Sequence, residues 1–432
     1  MKITIYRGTH EIGGTLIELQ SGKSRILIDA GYPLFLNNQP IDDSVMWFRY
    51  EKLLELGVLP DIKGLYGWDV PTFDAVMISH AHIDHYGLLR YLHPSIPVYL
   101  SKGTRKIIDI SALFMLTAQT PAAPREFDMY RPFSVGCFRI MSFLMDHSAF
   151  DAAAFEISDR KKAVIYTGDF RGHGRKAGCL STFIQKVKKD SDALLIEGTM
   201  FGRQNEEVLT EQELEKQLVN RIKDFKGPVL FQSSSQNIDR LVSFYKAAAR
   251  LGKLFVVDVY TANVLYELRQ LGNNHLPYPS GDHPDIKVFY PYRLTQKIFN
   301  EIGREYAKRF SAFHIRKEKL KAEQNNIVMA VRPSMRSDIE IAGLKNGLFV
   351  YSMWGGYRGS DYQKEFEMYL GQAGFTAVQL HTSGHASVSD IRRVIDELQP
   401  KKIIPIHTME PERFRDLSKN VLRVQDGEPF SI

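Results

Sequence analysis

Short apolar runs that stop at a charged residue or a glycine recur along this chain, and their spacing predicts strands separated by helices. Lys2–Tyr6 and Thr15–Leu19 alternate in the period of two that a half-buried strand requires. Arg25-Ile-Leu-Ile-Asp29-Ala-Gly31 is an apolar run closed by a carboxylate and a glycine turn. The pattern continues with strands at Ala75–Ser79, Val98–Leu100, Cys137–Phe143, Ala152–Ile157, Ala163–Tyr166 and Ala193–Ile196. Helical spacing covers 41–65, Tyr86–Leu92 and Lys102–Thr117. Beyond residue 200 the order becomes helix (about 207–226), strand Pro228–Gln232, helix Asn237–Leu251 and strand Leu254–Val259, which predicts a parallel βαβ unit. The last part returns to strand Thr376–Leu380, helix Val388–Leu398 and strand Lys402–Ile406. Several of these strands end in an acid or a histidine, at the loops where a layered α/β scaffold carries chemistry.

Composition narrows the class. The chain has 432 residues, 44% hydrophobic and 25% charged, with 31 Gly and 19 Pro. Collagen-like, coiled-coil and disordered chains are excluded by those proportions. No apolar run approaches the ~18–20 residues of a membrane-spanning helix, and the N-terminus lacks the apolar core of a secretory signal. Only two cysteines occur, Cys137 and Cys179, so a disulfide scaffold is not expected and the cytoplasm is the expected location. Cysteine alone cannot build a zinc module from two residues, and any metal must be held by histidine and carboxylate.

The densest candidate chemistry is Ser79-His80-Ala81-His82-Ile83-Asp84-His85. Three imidazoles and a carboxylate in one tight loop after an apolar strand point in different directions, enough to serve two metal ions. Imidazole and carboxylate suit Zn²⁺, and also Mn²⁺ or Fe²⁺. A polar loop or a tag has the same composition but would not follow a core strand and lead into a helix. Further strand-end donors are His147, Asp169 and His407. Each alone reads more often as a structural polar residue, but in this order the three fit one ligand template.

These motifs resemble the metallo-β-lactamase superfamily and, within it, the β-CASP nucleases, the group that includes RNase J and the 3′-end-processing nuclease of eukaryotic messenger RNA. The resemblance is carried by the HxHxDH run at 80–85, the strand ending in Asp29, His147 and Asp169. It extends to the acid-ended Leu195-Ile196-Glu197-Gly198-Thr199, to Ser383-Gly384-His385-Ala386-Ser387, and to Pro405-Ile406-His407. It implies an α/β fold: a four-layer αββα domain built from 1–200 and 374–432, with an inserted α/β β-CASP domain at 201–373. It also implies two divalent ions, Zn²⁺ first with Mn²⁺ as the alternative. His80, His82 and His147 would hold one, Asp84, His85 and His407 the other, and Asp169 would bridge them. Asp29 would sit behind the HxHxDH loop and fix its orientation. Histidine at the last ligand position, His407, distinguishes RNA-directed members from DNA-directed ones, which tend to carry valine there.

The chemistry implied is metal-dependent hydrolysis of RNA phosphodiester bonds, by 5′-to-3′ exonuclease or endonuclease action, with Asp84, His385 and Glu197 as catalytic residues. His385 is the candidate general acid, oriented by Glu197, because imidazole titrates near working pH. Ser383 and Ser387 would bind substrate phosphate, although Ser387 also stands where it can cap the helix from Val388. Ser233-Ser234-Ser235 offers a second phosphate contact or a plain helix cap. The expected partner is single-stranded RNA, with no membrane. RNase J proteins carry a further C-terminal domain that contributes to oligomers; here the sequence stops shortly after His407, so any homo-oligomer is expected to form by another route. Alternatives are a DNA nuclease of the Artemis type, a small-molecule metallo-hydrolase, and a non-catalytic RNA-binding subunit. The long insert and the Ser383–Ser387 motif count against the small-molecule enzyme, and the uneroded ligand set against the last.

Charge adds one feature. The net charge is +6, too modest to diagnose a partner. Residues 287–321, however, carry ten basic side chains (Lys287, Arg293, Lys297, Arg304, Lys308, Arg309, Arg316, Lys317, Lys319, Lys321) against three acidic ones. Tyr290, Tyr292, Tyr306, Phe310 and Phe313 interleave with them. A solvated helical face and a phosphate-tracking surface both fit that pattern.

Overall fold

A computed structural model describes residues 1–36, 39–114, 121–203, 208–272 and 274–432. The chain separates into two compact units, one of Met1–Gly172, Lys176–Glu207 and Gly384–Ile432, the other of His173–Arg175 and Val208–Ser383. These divisions fall seven and ten residues beyond the 200/201 and 373/374 boundaries expected from the sequence.

The first unit holds a seven-stranded and a six-stranded sheet face to face. The larger sheet runs Pro429–Ser431, Lys2–Arg7, Leu16–Ser21, Ser24–Ile28, Ala75–Met77, Val98–Ser101, Pro124–Phe127. Its first three pairings are antiparallel and the last three parallel. The other runs Ile403–Ile406, Ala193–Glu197, Ala163–Tyr166, Ala153–Ser158, Phe138–Leu144, Pro132–Val135, with its first two pairings parallel. Alternation drives the packing. Ile3, Ile5, Ile17, Leu19, Ile26 and Ile28 face Phe138, Ile140, Phe155, Ile157, Val164 and Leu195 in one core. The opposite side chains of the second sheet, Phe143, Ile165, Leu194 and Ile196, pack on the helices Gly178–Lys186 and Val388–Leu398 through Leu180, Phe183, Ile391 and Val394. Helix Lys102–Phe114 lies against the first sheet. Helix, sheet, sheet and helix make the αββα layering.

Two local readings differ from the sequence pattern. Residues 41–65 form only a 3₁₀ turn, Asp43–Trp47, and one short helix, Tyr50–Glu55. Gly57 takes φ +74 and Gly64 φ +80, and Pro60 lies between them, so the apolar spacing beyond residue 56 cannot continue as helix. The helix expected over Tyr86–Leu92 begins earlier, at Ile83–Tyr86, and a 3₁₀ turn follows at Leu89–Tyr91. Residues 115–117 of the expected Lys102–Thr117 helix, and residue 207 of the 207–226 helix, lie outside the described residues.

The second unit is a six-stranded, all-parallel sheet in the order Ile286–Phe289, Leu254–Asp258, Ile327–Ala330, Val229–Gln232, Leu348–Tyr351, Thr376–Gln379. The βαβ unit around helix Ile238–Arg250 is present, but its two strands are not neighbours: Ile327–Ala330 lies between them. The four central strands are buried nearly end to end, as a parallel sheet requires. Among the described residues no helix is long and apolar enough to cross a membrane.

Candidate metal centre

Strand ends bring the site together. Asp29 follows Ser24–Ile28, the His80–His85 run follows Ala75–Met77, and Asp169 follows Ala163–Tyr166. Glu197 ends its own strand, opposite Ile406 of the neighbouring one, and His407 comes next. Asp29 and His407 both hold left-handed backbone, at φ +58 and φ +51. That conformation costs an ordinary residue roughly 1–2 kcal/mol and, where it persists, directs attention to function. The HxHxDH loop is laced to the turn after Asp29, where Ala30 N donates to His85 O (2.8 Å) and Tyr32 N to Ile83 O (3.0 Å), and to Thr15, whose N donates to Asp84 O (3.1 Å). A side chain at Gly31 would lie 1.9 Å from the Asp84 carbonyl oxygen, so only glycine permits this approach.

Seven of the residues expected as ligands converge. The donor atoms of His80, His82, His147 and Asp169 lie within 4.8 Å of one another, as do those of Asp84, His85 and His407. Asp169 Oδ2 links the two groups, 3.7 Å from His80 Nε2, 3.2 Å from His85 Nε2 and 3.8 Å from His407 Nε2. On the far side of four of the five rings a second contact fixes the imidazole. Nδ1 of His80 meets Ser79 Oγ (3.0 Å), Nδ1 of His85 meets Asp29 Oδ2 (2.8 Å), and Nδ1 of His147 meets Gly384 O (2.5 Å). Nδ1 of His407 meets Thr199 Oγ1 (2.8 Å). Each of these four rings therefore turns Nε2 inward, the arrangement in which an outer partner sets the tautomer of a ligating histidine.

Asp29 is fully buried and saturated. It accepts from Ser79 N (2.7 Å), Ser79 Oγ (2.8 Å), His85 Nδ1 and Tyr166 Oη (2.5 Å). It thus grips the HxHxDH loop from behind.

Electrostatics suits cations. Burial, helped by the neighbouring imidazoles, holds His80 and His147 well below the usual histidine range, and pushes His82 down to about 4. Those rings are neutral at pH 7 and offer lone pairs. Burial opposes the charge on Asp84, but His85, His407 and His82 outweigh it and bring the carboxyl down to about 2. His85 is raised well above its ordinary value because Asp169, Asp29 and Asp84 outweigh its desolvation. His85 Nε2 and Asp169 Oδ2, both buried and 3.2 Å apart, make no hydrogen bond of acceptable geometry among the described residues although they face each other. Stranded polar atoms of this kind cost about 1–3 kcal/mol each unless something satisfies them. A divalent cation among these nitrogens and oxygens does so, and the donor set fits one.

His385 stands at the open side. Its Nδ1 is 3.2 Å from Glu197 Oε2 and 3.6 Å from Asp169 Oδ2, and its side chain is 20% exposed while His80, His85, His147 and His407 are buried. Glu197 is held in turn by the amides of Phe170 (2.9 Å), Ala386 (3.3 Å) and Thr199 (3.3 Å). Ser387 caps helix Val388–Leu398: its Oγ accepts from Asp390 N (3.1 Å) and donates to Asp390 Oδ2 (2.8 Å). Ser383 is the last residue of the second unit, where its carbonyl accepts from His173 Nε2 (2.8 Å). Ser233–Ser235 precede helix Ile238–Arg250, whose cap is instead Asn237.

Sequence reasoning missed Ser79, Tyr166, Thr199 and Gly384. Ser79 and Thr199 had a usable signal, a hydroxyl residue within two positions of a proposed functional residue. Gly384 contributes only a backbone carbonyl, and nothing in a sequence marks that.

Comparison with known proteins agrees with this geometry. A beta-lactamase superfamily domain matches residues 25–227, and a Zn-dependent metallo-hydrolase RNA specificity domain matches 376–423. Ribonuclease J of Helicobacter pylori (strain B128) is 22% identical over 456 residues, covering 100% of this chain and 60% of that protein. Ribonuclease J 2 of Streptococcus pyogenes is 22% identical, covering 97% and 71%, and an RNase J-like protein of Methanocaldococcus jannaschii is 24% identical, covering 69% and 66%. The chain thus spans about 60% of the length of the Helicobacter relative. A crystal structure of a protein of unknown function from Enterococcus faecalis V583 shares the fold, with a TM-score of 0.78 at 22% identity over 99% of each chain. Site, layering and matched domains together make the chain a member of the metallo-β-lactamase superfamily, in its β-CASP, RNase J-like branch.

Proposed function

We propose that this protein is a metal-dependent ribonuclease that hydrolyses phosphodiester bonds of single-stranded RNA. The observation that carries the reading is the inward-facing set of His80, His82, His147, Asp169, Asp84, His85 and His407, with His385 and Glu197 at its open side. Two divalent ions, Zn²⁺ or Mn²⁺, fit this set. His80, His82 and His147 would hold one, Asp84, His85 and His407 the other, and Asp169 would lie between. Bound there, such ions would supply an activated water nucleophile at neutral pH and offset the phosphate's negative charge.

The protein's own groups do the rest. Asp29, Ser79, Thr199 and the Gly384 carbonyl hold the imidazoles in place, so little reorganisation accompanies substrate binding. His385, oriented at Nδ1 by Glu197, would pass a proton to the departing oxygen as the P–O bond breaks. Ser387, already engaged as a helix cap, would assist phosphate binding chiefly by ordering the amides at the start of its helix. In this reading 1–200 and 374–432 form the metal-binding domain and 201–373 the β-CASP insert. Histidine at position 407 supports RNA over DNA as substrate.

The test is digestion of RNAs labelled at either end and carrying a 5′-monophosphate, triphosphate or hydroxyl, beside a DNA of the same sequence, with Zn²⁺ or Mn²⁺ supplied. The expected result is RNA shortened to products resolved by length, with DNA cut far more slowly. Intact RNA under every metal condition overturns the reading, and faster cutting of DNA converts it to a DNA nuclease. A mononucleotide ladder from the 5′ end would assign exonuclease action, and internal fragments endonuclease action.

A further inference from the structure

The outer helical layer of the second unit divides its cations into two kinds. Some are committed to the fold. Arg309 donates to Glu267 Oε1 and Asn263 Oδ1 (both 2.8 Å) and lies over the Tyr266 ring at 4.4 Å. Lys317 pairs with Asp338 (3.2 Å), Lys319 with Glu323 (2.6 Å), and Lys321 donates to the Gly343 carbonyl. Arg293, Arg304, Lys308 and Arg316 are different: all four are exposed, and their side chains make no hydrogen bond or ion pair among the described residues.

The backbone that carries them is fixed. Tyr290 Oη donates to Ala307 O (2.7 Å), Asn263 Nδ2 to Tyr306 O (3.3 Å) and Ile315 N to Val288 O (3.0 Å), while the His314 ring meets Tyr290 edge-on at 4.7 Å. Arg304 and Lys308 are four residues apart on helix Arg304–Lys308 and so share a face. Arg316 directly follows Ile315 beside the edge strand Ile286–Phe289. Two large rings also stand out from this layer, Tyr292 at 67% and Phe299 at 39% exposure. Phe299 lies on a π-helical turn, Ile298–Ile302, closed by Gly303 at φ +146 just before Arg304. Unpaired cations with exposed aromatic faces on a pre-ordered scaffold are what a single-stranded polyanion with stackable bases requires. An acidic protein would use the charges but has no need of exposed ring faces.

We propose that Arg293, Arg304, Lys308 and Arg316, with Tyr292 and Phe299, form an accessory binding surface for single-stranded RNA, touching its phosphates and bases. The surface deepens the ribonuclease reading and rests on it. It makes long substrates bind tighter than short ones and leaves the chemical step alone.

The test compares the full chain with its R293Q/R304Q/K308Q/R316Q variant. Affinity is measured in a His385→Ala background, so that RNA survives, for unstructured RNAs of about 6 and about 40 nucleotides over a salt series. The long RNA should bind the variant at least about tenfold more weakly. The slope of log K against log salt should fall by about 0.7 for each phosphate that the variant no longer neutralises. In the active protein KM for the long RNA should rise with kcat unchanged, and the short RNA should be unaffected. Tyr292→Ala with Phe299→Ala should weaken long-RNA binding without changing the salt slope, since stacking is worth about 1–3 kcal/mol per base but releases no counterions. Unchanged slope and KM in the fourfold variant, with the parent still binding and cutting RNA, overturn this surface alone. A parent that binds no RNA overturns the ribonuclease reading as well. Tighter binding of polyglutamate than of RNA, lost in the fourfold variant, replaces the RNA by an acidic protein partner.

Discussion

Both units bury a charged cluster, and the two are finished in opposite ways. In the second unit Arg240 and Glu211 are both completely buried. Arg240 Nε and Nη2 donate to Glu211 (3.3 and 3.0 Å), Nη1 to Ser352 O and Oγ (2.8 and 2.6 Å), and Nη2 also to Thr382 O (3.1 Å). Ser243 Oγ donates to the remaining Glu211 oxygen (2.7 Å). Every nitrogen of that guanidinium has a partner within the protein. In the first unit the outer atoms of the cluster are equally well held, by Asp29, Ser79, Thr199 and the Gly384 carbonyl. Its inner atoms, His85 Nε2 and Asp169 Oδ2, are left facing each other without a hydrogen bond. A saturated buried cluster specifies structure, whereas one saturated outside and open inside is prepared for something the chain does not itself supply.

The open cluster should fail hardest when an inner atom is removed. Asp84→Ala or His85→Ala should lose bound metal and RNA hydrolysis together, down to background, as read by elemental analysis beside a cleavage assay. Chelation of the parent should do the same and be reversed by adding the metal back. A variant that keeps its metal and its turnover would remove that residue from the ligand set. His385→Ala tests the boundary of the cluster. It should keep the metal and lower turnover by roughly 10²–10⁴-fold, the range for a positioned general acid. Near-parental turnover would return His385 to a loop residue held by Glu197.

The contrast also explains what could be read from the sequence. His80, His82, Asp84 and His85 were legible because they sit within six residues, and His147, Asp169 and His407 because each ends or follows an apolar strand. Strand positions were legible because buried strands are written as apolar runs: Ala163–Tyr166 and helix Val388–Leu398 come out to the residue. Arg240 and Glu211 were invisible, since a buried ion pair across 29 residues leaves no local pattern and reads as helix-surface charge. Thr199 and Gly384 were missed because their contribution is a direction given to another residue's ring. The helix expected over 41–65 failed because apolar spacing was weighed without the glycines that end it.

The closed cluster should show its loss as stability. Arg240→Ala removes the buried guanidinium that faces both Glu211 carboxylate oxygens, a change worth about 3–5 kcal/mol. A large fall in the urea midpoint of the cooperative unfolding step is expected. The double variant Arg240→Met, Glu211→Leu should recover much of it, since the cost lies in the unpaired charge more than in the loss of the pair. If the single and double variants were equally unstable, packing rather than charge would be what this cluster provides.

The smallest effect, and the sharpest separation of outer from inner shell, belongs to Thr199. Its hydroxyl lies 2.8 Å from His407 Nδ1 and 3.2 Å from His407 O. A carbonyl can only accept, so the hydroxyl hydrogen goes to it, and the hydroxyl oxygen is left to accept from Nδ1–H. That assignment leaves His407 Nε2, 3.2 Å from Asp84 Oδ2, as the inward nitrogen. Thr199→Val keeps the shape and removes only this instruction. Metal affinity, read by competition with a chelator, should fall about 10–100-fold, as for other groups that orient a ligating histidine. Unfolding should cost about 1–3 kcal/mol less, the penalty of a buried Nδ1–H left without its acceptor, so the fold survives. Thr199→Ser, which restores the hydroxyl, should restore the affinity. Equal affinity in the valine and serine variants would mean that the left-handed backbone at His407, and not the hydroxyl, aims the ring, and the outer shell would then be scaffolding at that corner.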